Sequence, residues 1–110
     1  IGTTGHIAFN EPGSKRDSRA RVVALTEASR SAHAVTFGSR GAVPARAMTL
    51  GIADLLAARA IIVLATGTTK ASVVRDAMEG PATADVPASW LQVHSDVRWL
   101  LDADAARLLS

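Results

Sequence analysis

His6 and Glu11 stand five positions apart in the stretch Gly2-Thr3-Thr4-Gly5-His6-Ile7-Ala8-Phe9-Asn10-Glu11-Pro12-Gly13. An imidazole titrates near neutrality, so His6 can both take and give a proton at working pH. A nearby carboxylate can orient such a ring or stabilise its charged form. Gly2 and Gly5 let the backbone take conformations closed to other residues and pass close to a ligand. By spacing alone, however, a histidine near a glutamate is most often a surface or capping pair. A second constellation, Gly67-Thr68-Thr69-Lys70, sets two hydroxyls and an ammonium on a turn that opens a helix. Unpaired N–H groups there attract an anion such as a phosphate. The same letters fit an ordinary helix cap followed by a surface lysine. They do not make the G-x-x-x-x-G-K-[ST] phosphate loop.

Both turns need elements to hold them. Residues 60–66, Ala-Ile-Ile-Val-Leu-Ala-Thr, read as a strand covered on both faces, and Gly67 leads straight from it into a helix over about 70–79 that Gly80-Pro81 ends. Further strands are expected at 21–25, 47–50 and 97–101. Further helices are expected from an N-cap at Thr26 to about 34, at 52–58, at 87–92, and from a cap at Asp102 to about 109. Ile1-Gly2 reads as the tail of another strand. Strands alternating with helices imply an α/β layered domain, Rossmann-like, with a mostly parallel sheet and helices on both faces. Ligands collect beyond the carboxyl ends of such strands. His6 and Lys70 are therefore expected to look into one hollow.

Composition narrows the classes. The 110 residues allow one compact domain or part of one. Nearly half are apolar, but only Phe9, Phe37, Trp90 and Trp99 are aromatic, so the core must be built from Ala, Val, Leu and Ile. A net charge of +2 with scattered arginines argues against a nucleic-acid partner, which needs a clustered basic face. The absence of cysteine excludes a disulfide framework or a thiolate metal site. His6, His33 and His94 lack helical i, i+4 partners, so neither a zinc site nor any other metal or cofactor is expected. No apolar run approaches the ~20 residues of a membrane helix, and no signal pattern opens the chain. The expected location is the cytoplasm.

Residues Gly5 to Gly13 match, without a gap, the Gly-His-Ile-Ala-Phe-Asn-Glu-Pro-Gly signature of the glucosamine-6-phosphate deaminase (isomerase) family, which this sequence resembles. Similar stretches follow in the family's order: Ser18-Arg19-Ala20-Arg21-Val22, Ala47-Met48-Thr49-Leu50-Gly51-Ile52, Gly67-Thr68-Thr69-Lys70-Ala71, Met78-Glu79-Gly80-Pro81 and Pro87-Ala88-Ser89-Trp90-Leu91-Gln92-Val93-His94. The resemblance implies conversion of glucosamine 6-phosphate and water to fructose 6-phosphate and ammonia. The steps it implies are ring opening, a C2-to-C1 proton shift through an enediol-like intermediate, and loss of the amine. His6 matches the ring-opening acid/base and Glu11 the glutamate that holds the imidazole. Lys70 matches the phosphate-binding lysine, with Thr68 and Thr69 beside it. The family's enolisation aspartate and a further phosphate loop lie in an N-terminal half. Residues 1–110 are thus expected to be the C-terminal portion of one domain, inactive alone, acting on a small sugar phosphate. The sequence leaves monomer and homo-oligomer open.

Three departures stand out. Thr4 replaces the Asp or Asn that assists the histidine, and Val35 replaces a phosphate-binding arginine, leaving Arg30 or Arg40 as candidate substitutes. Of the allosteric loop only Ser14 and Arg21 match, Val23-Ala24 replacing a Lys-Thr pair, so activation by an acetylated amino sugar phosphate is not expected. Alternatives are a catalytically weakened sugar-phosphate sensor, the related 6-phosphogluconolactonase, or a galactosamine-6-phosphate deaminase. His33 reads as a helix-end cation and His94 as a packing or hydrogen-bonding residue. Trp90 and Trp99 read as core or interface anchors, and Asp102 and Asp104 as helix-start carboxylates.

Overall fold

The apolar run at residues 60–66 becomes the spine of the molecule. In the computed structural model, which describes residues 1–110, β3 (Ile61–Ala65) pairs in parallel with β4 (Val97–Leu101), with Ile61 opposite Val97 and Ala65 opposite Leu101. Alternation along both strands sends Val63 and Ala65 inward, while Ile62, Leu64 and Leu100 remain more than half exposed. The inner face meets α4 (Ala71–Met78) and α5 (Ala103–Ala106), and Ala65, Val74 and Ala105 form a core flanked by Ile1, Met78, Trp99, Leu101 and Leu109. Helix α4 packs here because Ala71, Val74 and Ala77 recur at three-residue intervals and share a buried face.

A second pair stands apart. β1 (Arg21–Ala24) runs antiparallel to β2 (Arg46–Thr49), with Arg21 opposite Thr49. Between them lie α1 (Glu27–Ala32), α2 (Ala34–Phe37) and a 3-10 turn at Arg40–Ala42. The expected α/β class and parallel pairing hold at β3–β4, and the β1–β2 pair adds an antiparallel ribbon. α3 (Ile52–Leu56) follows β2 through Gly51. A Cβ on residue 51 would lie 2.1 Å from the Ser18 carbonyl oxygen, so only glycine permits this approach of two backbones.

Local details follow the sequence closely in the C-terminal part. The 97–101 strand has its expected bounds, and Asp102 caps α5 by accepting from Ala105 N–H at 2.8 Å. Residues 87–92 form a 3-10 helix, Pro87–Val93, in place of an α-turn. Trp90 donates its indole N–H to Ser14 O at 3.1 Å, tying that helix to the first loop. His94 accepts from Asp96 N–H through Nδ1, so its proton sits on Nε2 and is donated to Ala58 O at 2.7 Å. His33 lies at the junction of α1 and α2, edge-on to Phe9. Residues 1–2 lie outside the strands, and Ile1 packs against the core of Ala65, Val74 and Ala105.

Candidate active site

The first turn is held from three sides. Gly5, at φ +79°, is buried against Val86 and Val73, and its carbonyl accepts from Ala88 N–H at 2.9 Å. Asn10 is fully buried. Its amide donates to Ile7 O and Leu50 O (2.9 and 2.8 Å), and its oxygen accepts from Arg21 at 2.9 Å. Phe9 N–H donates to Thr49 Oγ1 at 3.1 Å. The loop between His6 and Glu11 is therefore bolted to the end of β2. Ala8, inside it, sits at φ +50°, a strained conformation for a residue with a side chain.

That strained residue presents its carbonyl to the imidazole. His6 Nδ1 lies 2.9 Å from Ala8 O. A carbonyl can only accept, so Nδ1 carries the proton and Nε2 is left with a free lone pair. Nε2 lies over Gly2: a Cβ there would be 1.8 Å from it. Lys70 reaches the same dipeptide, donating to Ile1 O at 2.8 Å. Imidazole and ammonium thus converge on Ile1-Gly2. Neither residue lines the cleft at Glu11 and Arg21 or the apolar groove along Ile62 and Leu64.

Glu11 departs from its expected partner. No hydrogen bond joins it to His6. Its Oε2 accepts from Thr4 at 3.1 Å, and its Oε1 accepts from Ser29 and, at 3.3 Å, from Thr26. Thr4 accordingly serves the carboxylate and makes no bond to the imidazole. The Ala8 carbonyl takes Nδ1, so the ring is oriented by backbone. Thr26 is visible in the sequence as the cap of α1, and it fills that role by accepting from Ser29 N–H. Ser29 has no local signal as a site residue, since its contact with Glu11 spans 18 positions.

The second turn is also more committed than its letters suggest. Gly67, at φ +88°, donates its N–H to both oxygens of Asp102 at 3.0 Å. That donor is already used, which leaves Lys70 and the exposed Thr68 and Thr69 as the groups an anion could meet. Arg40 and Arg30, the candidate substitutes for the missing arginine, are both engaged. Arg40 pairs with Glu27, and Arg30 donates to Val43 O at 3.2 Å. Val35 itself is 93% exposed. Arg21 is tied to Asn10 and Ser14 within a cleft of about 430 Å³ that also takes in Glu11 and Lys15.

The model of the family described as glucosamine-6-phosphate isomerases/6-phosphogluconolactonase matches residues 1–99. The chain belongs to this family. It is 50% identical over 109 residues to a glucosamine-6-phosphate deaminase of Rhodopirellula baltica, covering 99% of this chain and 43% of that protein. A glucosamine-6-phosphate deaminase of Exiguobacterium sibiricum is 48% identical over 110 residues, 100% of this chain and 44% of that protein. A solved structure of a monomeric glucosamine-6-phosphate deaminase of the NagB superfamily superposes with a TM-score of 0.94 at 47% identity, over 98% of this chain and 45% of that one. The chain therefore spans less than half the length of the curated relatives it matches. The glucosamine-6-phosphate isomerase/6-phosphogluconolactonase fold accounts for the α/β layering and the parallel β3–β4 pair. No helix is long and apolar enough to cross a membrane.

Proposed function

We propose that the full-length protein is a glucosamine-6-phosphate deaminase. It converts glucosamine 6-phosphate and water to fructose 6-phosphate and ammonia, and residues 1–110 are the C-terminal portion of its single domain. The observation that carries this reading is the His6 tautomer: a proton fixed on Nδ1 and a basic Nε2 beside a glycine. Ring opening needs a group that removes the proton of the anomeric hydroxyl and returns one to the ring oxygen as the C1–O5 bond breaks. Nε2 can do both in turn. Glu11 would lend its negative charge to the imidazolium that exists between the two transfers, without a direct bond to the ring. Lys70, with Thr68 and Thr69, would hold the phosphate, and its present bond to Ile1 O gives way to the anion. The proton shift at C2 requires a base from outside these residues.

Ammonia release from glucosamine 6-phosphate by the full-length protein tests the reading. The expected result is turnover that His6→Gln reduces strongly with little change in KM. Lactone hydrolysis without ammonia would favour a 6-phosphogluconolactonase. Stabilisation by the sugar phosphate without ammonia would favour a sensor, and preference for galactosamine 6-phosphate would change the epimer. Relatives at about half identity are named for the glucosamine substrate, which supports the first outcome.

A further inference from the structure

Glu11 is a carboxylate held by hydroxyls alone. Thr4 reaches one oxygen from the first turn, while Thr26 and Ser29 reach the other from the start of α1. No Lys or Arg forms an ion pair with it. The distinction is physical. A guanidinium partner would fix the carboxylate but cancel its charge, whereas hydroxyl dipoles fix it and leave the charge available to a neighbouring cation.

The protons can be counted. Ser29 Oγ has one hydrogen, given to Glu11 Oε1. Thr26 Oγ1 has one as well. It lies 3.2 Å from Ser29 Oγ and 3.3 Å from Glu11 Oε1, so it either backs up Ser29 or joins it on the carboxylate. Thr26 Oγ1 in turn accepts Ser29 N–H at 3.2 Å, which closes the group on itself. Ser29 is only 7% exposed, so water has little access to replace its hydroxyl, whereas Thr26 is exposed. Of the two hydroxyls at Oε1, Ser29 is the one shielded from solvent.

We infer that Ser29, backed by Thr26, is a positioning residue for ring opening: it holds the Glu11 carboxylate in place so that its charge can stabilise the His6 imidazolium. The inference rests on the proposed roles of Glu11 and His6. It also assigns a purpose to the start of α1, since the helix cap and the carboxylate clamp share the same two side chains. Thr26 caps the helix for the backbone and completes the clamp for the site.

The test uses the full-length protein with glucosamine 6-phosphate. Ser29→Ala should lower kcat about tenfold or more, the scale set by one lost hydrogen bond to a charged group, with KM within twofold. Ser29→Thr, which keeps the hydroxyl, should restore most of the rate. Ser29→Cys, nearly isosteric but a weak donor, should fall between and guards against a folding failure of the alanine variant. In a Glu11→Gln background, Ser29→Ala should cost almost nothing further. Normal kcat in Ser29→Ala, with Glu11→Gln impaired, would overturn the inference while leaving the role of Glu11 intact. A Glu11→Gln protein with unimpaired kcat would instead remove the reading on which it rests. Full additivity of the two substitutions would show that Ser29 acts elsewhere and would also overturn it.

Discussion

At Gly2 a single hydrogen atom stands where any other residue would place a carbon 1.8 Å from His6 Nε2. The backbone there is not in the left-handed region, so alanine is sterically legal for the chain and illegal only for the imidazole. Gly2→Ala is therefore expected to leave the melting temperature nearly unchanged and to lower kcat about a hundredfold by pushing the ring aside. Steady-state kinetics beside a thermal melt check both halves. Equal activity would mean that the ring is free to swing away from residue 2 without loss. Glu27 offers a different residue-scale test. Its hydrogen bond to Arg40, with the charges of Arg40 and Arg30, holds its carboxyl below the ordinary value of 4.5. A lowered folded-state value means stability that is fully present above the unfolded carboxyl's titration and lost as pH falls through the folded one. Glu27→Gln should thus be less stable than the parent at pH 7, and the difference should shrink below the ordinary carboxylate range and vanish once the lowered Glu27 carboxyl is itself protonated. Melts from pH 7 to pH 2.5 would show it, and a difference that persists at the acid end would refute the pairing.

The elements are legible in the sequence where their signals are local. The 97–101 strand, the Asp102 cap and α4 follow from an apolar run, a carboxylate before a helix, and a glycine turn and a Gly-Pro stop on either side of one. The antiparallel β1–β2 ribbon is not legible in this way. Its register joins Arg21 to Thr49 across two helices, and four-residue strands carry no sign of which neighbour they will find. The site divides likewise. His6, Glu11 and Lys70 stand out by type, whereas Ser29 and the Ala8 carbonyl enter only once distant residues meet. Asp102 shows both sides at once. Read as a cap, it also clamps the Gly67 turn that leads to Lys70. Two effects of Asp102→Ala compete for a bound phosphate: loss of a nearby negative charge, worth about 1 kcal/mol or less at an exposed site, and loss of the turn's anchor. The anchor is expected to dominate because Gly67 is conformationally free without it. Asp102→Ala should cost roughly 1 kcal/mol of stability through the cap and raise KM for the sugar phosphate several-fold. Asp102→Asn, which keeps an acceptor, should do neither. Urea denaturation and KM measured on the same two variants decide the matter.

Across the whole molecule, surface is left over. The chain exposes 6404 Å², against about 5,800 Å² for a compact monomer of this mass, and only 18 of its residues are buried. One apolar patch stands out. Ile62, Leu64 and Leu100 line the outer face of the parallel pair, and beside them a groove of about 540 Å³ is walled by Ile7, Leu50, Leu55 and Leu91. Soluble monomers rarely leave such a continuous patch uncovered, because apolar area in contact with water costs about 25 cal/mol per Å². Under the proposed function, the rest of the domain covers this face. A pair of lysines separates that arrangement from a face that stays wet. Introduced together, Ile62→Lys and Leu64→Lys should make residues 1–110, produced alone, more soluble and abolish their binding of a hydrophobic dye. In the full-length protein the same pair should destabilise by several kcal/mol, since two charges would be buried without partners. If the lysines are tolerated in both contexts, the face is solvent-exposed in the complete protein.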